Sequence, residues 1–187
     1  MRLFHEQGYH ATGISTILRE ADVNSGSLYH FYPSKEALLI GVLDTYVDLL
    51  EPEVMGPAES GSDDPIERVF VLLANYRLMM ETTGCRMGCP IGNLALEVGD
   101  DSPQARERID LNFRNWAARV ESWLRHAGDR LPTRCDRARL SRFILTVMEG
   151  GIMQCRAASS LTPFDEGVAE LRAHFDLLLA QAAAERG

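Results

Sequence analysis

Apolar residues recur three or four positions apart along almost the whole chain, which is the spacing of one face of an α-helix. No segment shows a convincing alternation of apolar and polar residues, the pattern typical of a half-buried strand. The sequence therefore predicts an all-α protein. The clearest case is the segment 103–124, whose apolar face consists of Ile109, Phe113, Trp116, Val120, Trp123 and Leu124.

Capping and turn residues divide this pattern into about nine predicted helices. We expect Thr12 to cap the second helix, and the stretch 51–65 is rich enough in proline, glycine and serine to predict a linker. The first helix, which ends at Gly8, is short for its apolar content, so we expect the natural chain to begin before Met1. The predicted helices cover residues 1–7, 12–21, 25–32, 34–50, 65–83, 91–98, 102–125, 136–158 and 162–184.

The composition limits the class of protein. Hydrophobic residues make up 45% of the chain and charged residues 25%, which is ordinary for a globular protein, and the formal net charge is -8 at pH 7. A chain this acidic does not bind nucleic acid through its overall charge, so any DNA binding must come from a local surface. No apolar run in the sequence is long enough to span a membrane.

The cysteine pattern and the lack of catalytic motifs restrict the kinds of site that the chain is expected to have. The four cysteines form no regular disulfide framework and no signal peptide is recognised, so we expect reduced thiols and a cytoplasmic location. Cys85 and Cys89 form a single CxxxC pair without a neighbouring histidine, which is a poor zinc site. The sequence contains none of the common catalytic motifs. We therefore expect no enzyme, no cofactor and no metal.

The stretch SGSLYHFYPSKEAL, residues 25–38, needs a partner outside its own core. A core helix would not begin with three small polar residues, and an exposed loop would not carry consecutive aromatic side chains. Two short helices joined by the turn 22–24 match a helix-turn-helix, whose second helix enters the major groove of DNA. Small residues at the start of that helix allow a close approach to base edges. The alternative is a helical hairpin with a solvated tip.

Ser34 and Lys35 stand at the predicted start of the next helix. Free backbone N–H groups and the helix dipole favour an anion at such a position. Lys35 is the only lysine of the chain and adds a positive charge there. This arrangement predicts a contact with a DNA phosphate.

The segment LFHEQGYHATGISTILREADVNSGSLYHFYPSKEALL, residues 3–39, closely resembles the DNA-binding domain of TetR-family repressors. The resemblance implies a helix-turn-helix domain of three helices over residues 1–46. It also implies a larger helical domain for ligand binding and dimerisation over 47–187. Asp22 departs from the family pattern, because a glycine is usual at this turn. The matching residues are Leu3, Phe4, Gly8, Thr12, Ile17, Ala21, Val23, Gly26, Leu28, Tyr29, Ser34, Lys35 and Leu38.

The resemblance also implies which residues contact a double-stranded DNA operator. Carried over position by position, the phosphate contacts are Thr12, Ser27, Tyr29, His30 and Lys35, and the base-facing residues are Ser15, Ser25 and Gly26. The implied assembly is a homodimer formed by the last two helices. Its candidate contacts are Leu171, Phe175, Leu178 and Leu179, with Gly150 or Gly151 allowing close approach.

The segment GCPIGNLALEV, residues 88–98, resembles the LmrA-type branch of the same family and implies a small apolar or aromatic effector. Methionine and aromatic side chains suit an adaptable pocket, although ordinary core packing is the alternative. The candidate ligand-binding residues are Tyr76, Met80, Leu94, Phe113, Trp116 and Met148.

Three other functions stay open from the sequence. Related repressors with a cysteine at the position of Cys89 respond to electrophiles, so Cys89 is a candidate redox residue. The second interpretation is therefore a thiol-based sensor of electrophiles. The third is a helical ligand-binding module that has lost DNA binding. The fourth is an all-α enzyme with an unrecognised site.

Overall fold

The structure is a computed structural model that describes residues 1–186, and all of the regular secondary structure in this range is helical. The predicted all-α fold class is thereby confirmed, and a helix lies at each of the nine predicted places. The α-helices are α1 (Arg2–Gln7), α2 (Ile14–Ala21), α3 (Ser25–Phe31), α4 (Lys35–Leu49), α5 (Gly56–Ser60), α6 (Glu67–Thr82), α7 (Pro90–Val98), α8 (Pro103–His126), α9 (Arg137–Ala158) and α10 (Thr162–Arg186).

The predicted linker 51–65 is largely wrong. Helix α4 continues into a π-helical segment, Leu50–Met55, which α5 follows directly. Met55 and Ala58 are fully buried, so this segment is anchored in the core. Pro57 lies in the first turn of α5, where a missing N–H group breaks no helical hydrogen bond. A composition typical of loops therefore also fits a short helix start.

Side chains cap several helices as the local sequence predicts. Asn24 Oδ1 accepts a hydrogen bond of 2.8 Å from the N–H of Ser27 at the start of α3. Ser34 Oγ accepts one of 3.0 Å from the N–H of Ala37 in α4. The predicted cap of α2 is wrong, because Gly13 occupies the N-cap position and Thr12 points into the core.

The chain folds into two compact units. Unit 1 comprises Met1–Leu49 and Met87–Phe113, so α7 and the first part of α8 belong with the four N-terminal helices. Unit 2 comprises Leu50–Arg86 and the described residues from Arg114 onward. The predicted boundary between a DNA-binding domain, residues 1–46, and a ligand-binding and dimerisation domain, residues 47–187, stays a prediction.

Each unit has its own apolar core. In unit 1, Phe4, Leu39 and Leu43 are buried, and the Nδ2 group of the buried Asn112 donates to the carbonyl of Leu43 at 3.2 Å. In unit 2, the rings of Phe70 and Phe175 pack edge to face with centroids 5.4 Å apart. The other large, fully buried residues of unit 2 are Met55, Ile66, Leu72, Leu73, Met80, Trp123, Leu124, Leu131 and Phe164.

The burial of α10 corrects two of the predicted dimer contacts. Leu171 and Phe175 are almost completely buried within unit 2, so they are not available to a second chain. Gly151 also packs inside the unit, because a Cβ atom at this position would lie 2.9 Å from the ring of Phe164. Within residues 1–186, no helix has the length and apolar composition needed to cross a membrane.

Candidate nucleic-acid interface

Helix α3 is the most exposed helix of unit 1. Only Leu28 is half-buried, and the other six residues of the helix are exposed. Its aromatic side chains lie largely in solvent, with Tyr29 48% and Phe31 74% exposed. Two large aromatic side chains exposed on one short helix make α3 a candidate binding surface.

The turn before α3 fixes the position of its first residues. Asp22 adopts a left-handed conformation with φ 52° and ψ 45°, which aspartate tolerates better than most residues. Its N–H donates to the carbonyl of Arg19, and the N–H of Val23 donates to that of Leu18. Aspartate thus performs the role for which a glycine is usual at this turn.

Seven of the eight predicted DNA-contacting residues are accessible in unit 1. Lys35, the first residue of α4, is half-buried. Its Nζ lies 4.3 Å from the centroid of the Tyr9 ring and donates to the carbonyl of His10 at 3.5 Å. These contacts hold the ammonium group in place without using all three of its hydrogens. The six exposed members are Ser15, Ser25, Gly26, Ser27, Tyr29 and His30.

Thr12 must be removed from the set of DNA contacts. Its side chain is completely buried, and its hydroxyl group shares its single hydrogen between the carbonyls of Leu3 and Gly8, at 3.2 and 2.6 Å. The threonine therefore ties the end of α1 to the start of α2. Its hydroxyl is not available to a phosphate.

Arg2 and Arg19, the other two cations of the four N-terminal helices, are partly neutralised. Arg2 pairs with Glu6 at 2.9 Å and with Glu20 at 3.2 Å, and Arg19 lies 3.8 Å from Glu20. Exposed ion pairs contribute little to stability, but they reduce the net positive charge that each arginine presents to DNA. The ammonium group of Lys35 contacts the Tyr9 ring and the His10 carbonyl instead of a carboxylate, so Lys35 is a central cation of this surface.

Two models of known protein families match this chain, one near its N-terminus and one over its C-terminal part. The model of the bacterial regulatory proteins of the tetR family matches residues 1–42. The model of the LmrA/YxaF-like transcriptional regulators, C-terminal domain, matches residues 65–170, more than half of the chain. The chain belongs to the TetR family of transcriptional regulators. This confirms the resemblance seen in the sequence, and membership of a family of regulators confirms that the protein is not an enzyme.

Individual proteins agree with this assignment. The HTH-type transcriptional regulator Rv0196 of Mycobacterium tuberculosis is 32% identical over 185 residues, covering 96% of this chain and 90% of that protein. The HTH-type transcriptional regulator LmrA of Bacillus subtilis is 30% identical over 166 residues, covering 87% and 85%. A TetR regulatory protein from Rhodobacter sphaeroides has the same fold, with a TM-score of 0.83, 23% identity and coverage of 92% and 93%.

The six predicted ligand-binding residues of this TetR-family regulator are divided between the units. Leu94 and Phe113 belong to unit 1, and the other four belong to unit 2. Within unit 2, Trp116 is only 3% exposed, and its indole Nε1 donates to the hydroxyl of Tyr76 at 3.2 Å. Met80 and Met148 are also buried. These side chains have the burial of a core, and their role in ligand binding stays a prediction.

Sequence reasoning missed an open cleft in unit 2 of this TetR-family regulator. The cleft has a volume of about 430 Å³. Arg119 bridges two acids beside it, at 2.9 Å from Glu51 and 2.8 Å from Glu59. No local motif indicates such a cleft, because its two walls are about sixty residues apart in the sequence. It is lined by Glu59, Asp63, Pro65, Arg68, Arg119, Ser122, Trp123 and His126.

The cysteines of the regulator are not arranged as a metal site. Among residues 1–186, no group of histidine, cysteine, aspartate and glutamate side chains could hold a metal ion. Cys89 is the N-cap of α7, and its Sγ accepts a hydrogen bond of 3.5 Å from the N–H of Gly92. Burial raises the pKa of the Cys155 thiol, which makes that thiol less reactive.

Proposed function

We propose that this TetR-family regulator is a repressor that binds a pseudo-palindromic operator as a homodimer and leaves it when a small apolar or aromatic effector binds. The exposure of α3 carries the DNA part of this proposal. Ser15, Ser25 and Gly26 face the bases, and the phosphate contacts come from Ser27, Tyr29, His30 and Lys35. The protein acts where its operator lies, in the cytoplasm.

DNA binding can be tested with fragments that flank the gene. We expect Ser25→Ala to change the preference among operator variants, because a hydroxyl at the start of a recognition helix can donate to or accept from a base edge. Ser160→Ala in unit 2 is the control and should leave the preference unchanged. Failure of the wild-type chain to bind any flanking DNA at low salt would favour the ligand-binding module that lacks DNA binding.

The homodimer is supported by an apolar face on α9 and α10. Leu177 is 70% exposed, and Phe143 and Met153 are also exposed. The ring of Phe143 lies 6.0 Å from that of His174, which joins the two helices into one surface. A two-fold axis through such a face would pair two identical chains, and a pseudo-palindromic operator offers two half-sites about 34–36 Å apart, one turn of DNA.

The proposed face predicts a dimer, and a charged side chain placed on that face should disrupt it. Leu177→Arg should produce monomers at micromolar concentration and reduce operator binding. Leu78→Arg is the matched control, because Leu78 in α6 is 58% exposed but lies outside the proposed face. Multi-angle light scattering separates the two variants. A wild-type monomer, or an unchanged dimer with Leu177→Arg, contradicts this part of the proposal.

The effector site is proposed at Tyr76, Met80, Trp116 and Met148 of unit 2. The match to the LmrA/YxaF-like C-terminal model supports a regulatory domain here. Apolar side chains and one polar pair, the indole of Trp116 and the hydroxyl of Tyr76, suit a flat apolar ligand.

The chain has two tryptophans, so fluorescence can locate the effector. In Trp123→Phe, the remaining Trp116 should be quenched by a compound that releases the protein from DNA. In Trp116→Phe, the remaining Trp123 lies beside the open cleft and should respond weakly. The reverse result would move the effector to the cleft and overturn the proposed set of residues.

A thiol-based sensor of the same fold is the second candidate, and the position of Cys89 favours it. The N-terminus of α7 stabilises a negative charge, which would favour a thiolate. Treatment with N-ethylmaleimide should then release the wild-type protein from DNA, whereas Cys89→Ser should stay bound. Release of Cys89→Ser to the same extent would remove this candidate, and Cys135→Ser controls for the more accessible thiol.

A further inference from the structure

The loop between α1 and α2, residues 8–13, is held by a side chain from a distant part of unit 1. The carboxylate of Glu97 in α7 accepts hydrogen bonds from two successive backbone N–H groups. Oε2 accepts from Tyr9 at 2.8 Å, and Oε1 accepts from His10 at 2.6 Å. Each oxygen therefore has its own donor, and such charge-assisted bonds are stronger than neutral ones.

The backbone of the loop is shaped to admit this carboxylate. Gly8 has a φ of 84°, a conformation that residues with side chains rarely adopt. A Cβ atom at Gly8 would lie 2.9 Å from Oε2 of Glu97, closer than packing allows. The ring of His10 adds contacts from its Nε2, at 3.2 Å to the Glu97 carbonyl and 3.3 Å to the Asp101 carboxylate.

The two residues held by Glu97 also support the cation of the DNA-binding surface. The Tyr9 ring lies beneath Nζ of Lys35, and the His10 carbonyl accepts a hydrogen bond from it. The same loop leads directly into α2, whose N-cap, Gly13, has no side chain to fix it. A displacement of the loop would therefore move both Lys35 and the start of α2.

We propose that Glu97 is a positioning residue for DNA binding, which fixes loop 8–13 and through it Lys35 and the start of α2. This inference rests on the proposed function. Glu97 is not itself a DNA contact, because it is negatively charged and both of its oxygens are engaged by the protein. It lies within the part of the chain that matches the C-terminal family model, yet it completes the DNA-binding unit.

The expected loss of operator affinity depends on the fraction of molecules in which loop 8–13 has the conformation that binds DNA. Apparent affinity falls in proportion to the fraction of molecules in the binding conformation. Glu97→Ala removes two charge-assisted hydrogen bonds, so we expect operator affinity to fall at least about tenfold. Glu97→Gln keeps one acceptor oxygen and should have an intermediate effect.

The matched control is Asp100→Ala, which removes the same charge from an exposed position three residues away. Operator affinity is measured by fluorescence anisotropy for both variants, after circular dichroism has shown that they are folded. Because Glu97 acts through Lys35, the loss in the double variant Glu97→Ala/Lys35→Gln should be smaller than the product of the single losses. Hydrogen exchange of the Tyr9 and His10 amides should be faster in Glu97→Ala and unchanged in Asp100→Ala.

The outcomes separate this inference from the function on which it rests. A wild-type chain that binds no flanking DNA overturns the proposed function, and the role of Glu97 with it. If the wild type binds and Glu97→Ala binds as well as Asp100→Ala, the inference alone is overturned. Unchanged protection of the two amides in Glu97→Ala also overturns it, because the loop would then be held by other contacts.

Discussion

The indole nitrogen of Trp123 donates a hydrogen bond of 2.6 Å to a carboxylate oxygen of Glu59. Trp123 is only 1% exposed, so its N–H group is largely shielded from solvent. The same carboxylate lies 2.8 Å from Arg119 and 4.0 Å from Arg68, so one acid satisfies a buried donor and pairs with two guanidinium groups. This contact joins α5 to α8 in unit 2.

Loss of that carboxylate should destabilise the protein. Glu59→Ala leaves the indole N–H of Trp123 buried without an acceptor, which costs about 1–3 kcal/mol of the free energy of unfolding. Urea unfolding followed by circular dichroism measures this loss. Glu51→Ala is the control, because Glu51 also pairs with Arg119 but is exposed, and an exposed pair contributes at most about 1 kcal/mol. Equal losses in both variants would contradict the role given to the buried bond.

Lys35 should contribute to the affinity for all DNA sequences alike. Lys35→Gln removes one phosphate contact, so the plot of log K against log salt concentration should become less steep by about one unit. Arg125→Gln on α8 removes a positive charge from unit 2 and should leave the slope unchanged. A Lys35→Gln variant with wild-type affinity and slope would show that this lysine serves only to pack on Tyr9.

Asp64 should make stability depend on pH in the acid range. Burial alone would raise the pKa of Asp64, but hydrogen bonds from the Ile66 N–H and from Arg130 outweigh it and hold the pKa below its usual value. A carboxyl with a lowered native pKa stabilises the fold above its unfolded pKa, about 3.9, and the stabilisation is lost as the pH falls through the native pKa.

The corresponding variant is Asp64→Ala. At pH 7 it should lose about 1 kcal/mol, because the first N–H groups of α6 lose their acceptor. The difference from wild type should shrink when unfolding is repeated below pH 4. Asp63→Ala, a change at the exposed neighbour, should show neither effect. A difference that stays constant between pH 7 and pH 3 would exclude the charged form as its origin.

Two adjacent glycines in α9 should respond in opposite ways. A Cβ atom at Gly151 would lie 2.9 Å from Cδ2 and 3.3 Å from Cα of Phe164, so Gly151→Ala should cost about 1–3 kcal/mol. A Cβ atom at Gly150 meets no atom within 4 Å, and Gly150→Ala should stabilise the helix by roughly 0.5–1 kcal/mol. Thermal unfolding compares the two. A loss with Gly150→Ala would indicate that a second chain covers that position.

The sequence by itself determined the nine predicted helices and the exposed character of α3. Helical periodicity, Asn24 as a cap and the turn at Asp22 all act between residues within a few positions of one another, so the local sequence is sufficient to predict them. The exposure of α3 was also predictable, because its small and aromatic residues do not form the apolar face that a core helix needs.

Only the tertiary structure decided which distant residues meet. Thr12 belongs to the family's DNA-binding pattern, yet its hydroxyl is buried against α1. The bonds of Glu97 to Tyr9 and of Glu59 to Trp123 span 88 and 64 residues, and no local pattern encodes either partner. The same holds for Leu171, which α10 turns inward. Periodicity identifies the apolar face of a helix, but only packing decides whether that face meets its own chain or a second one.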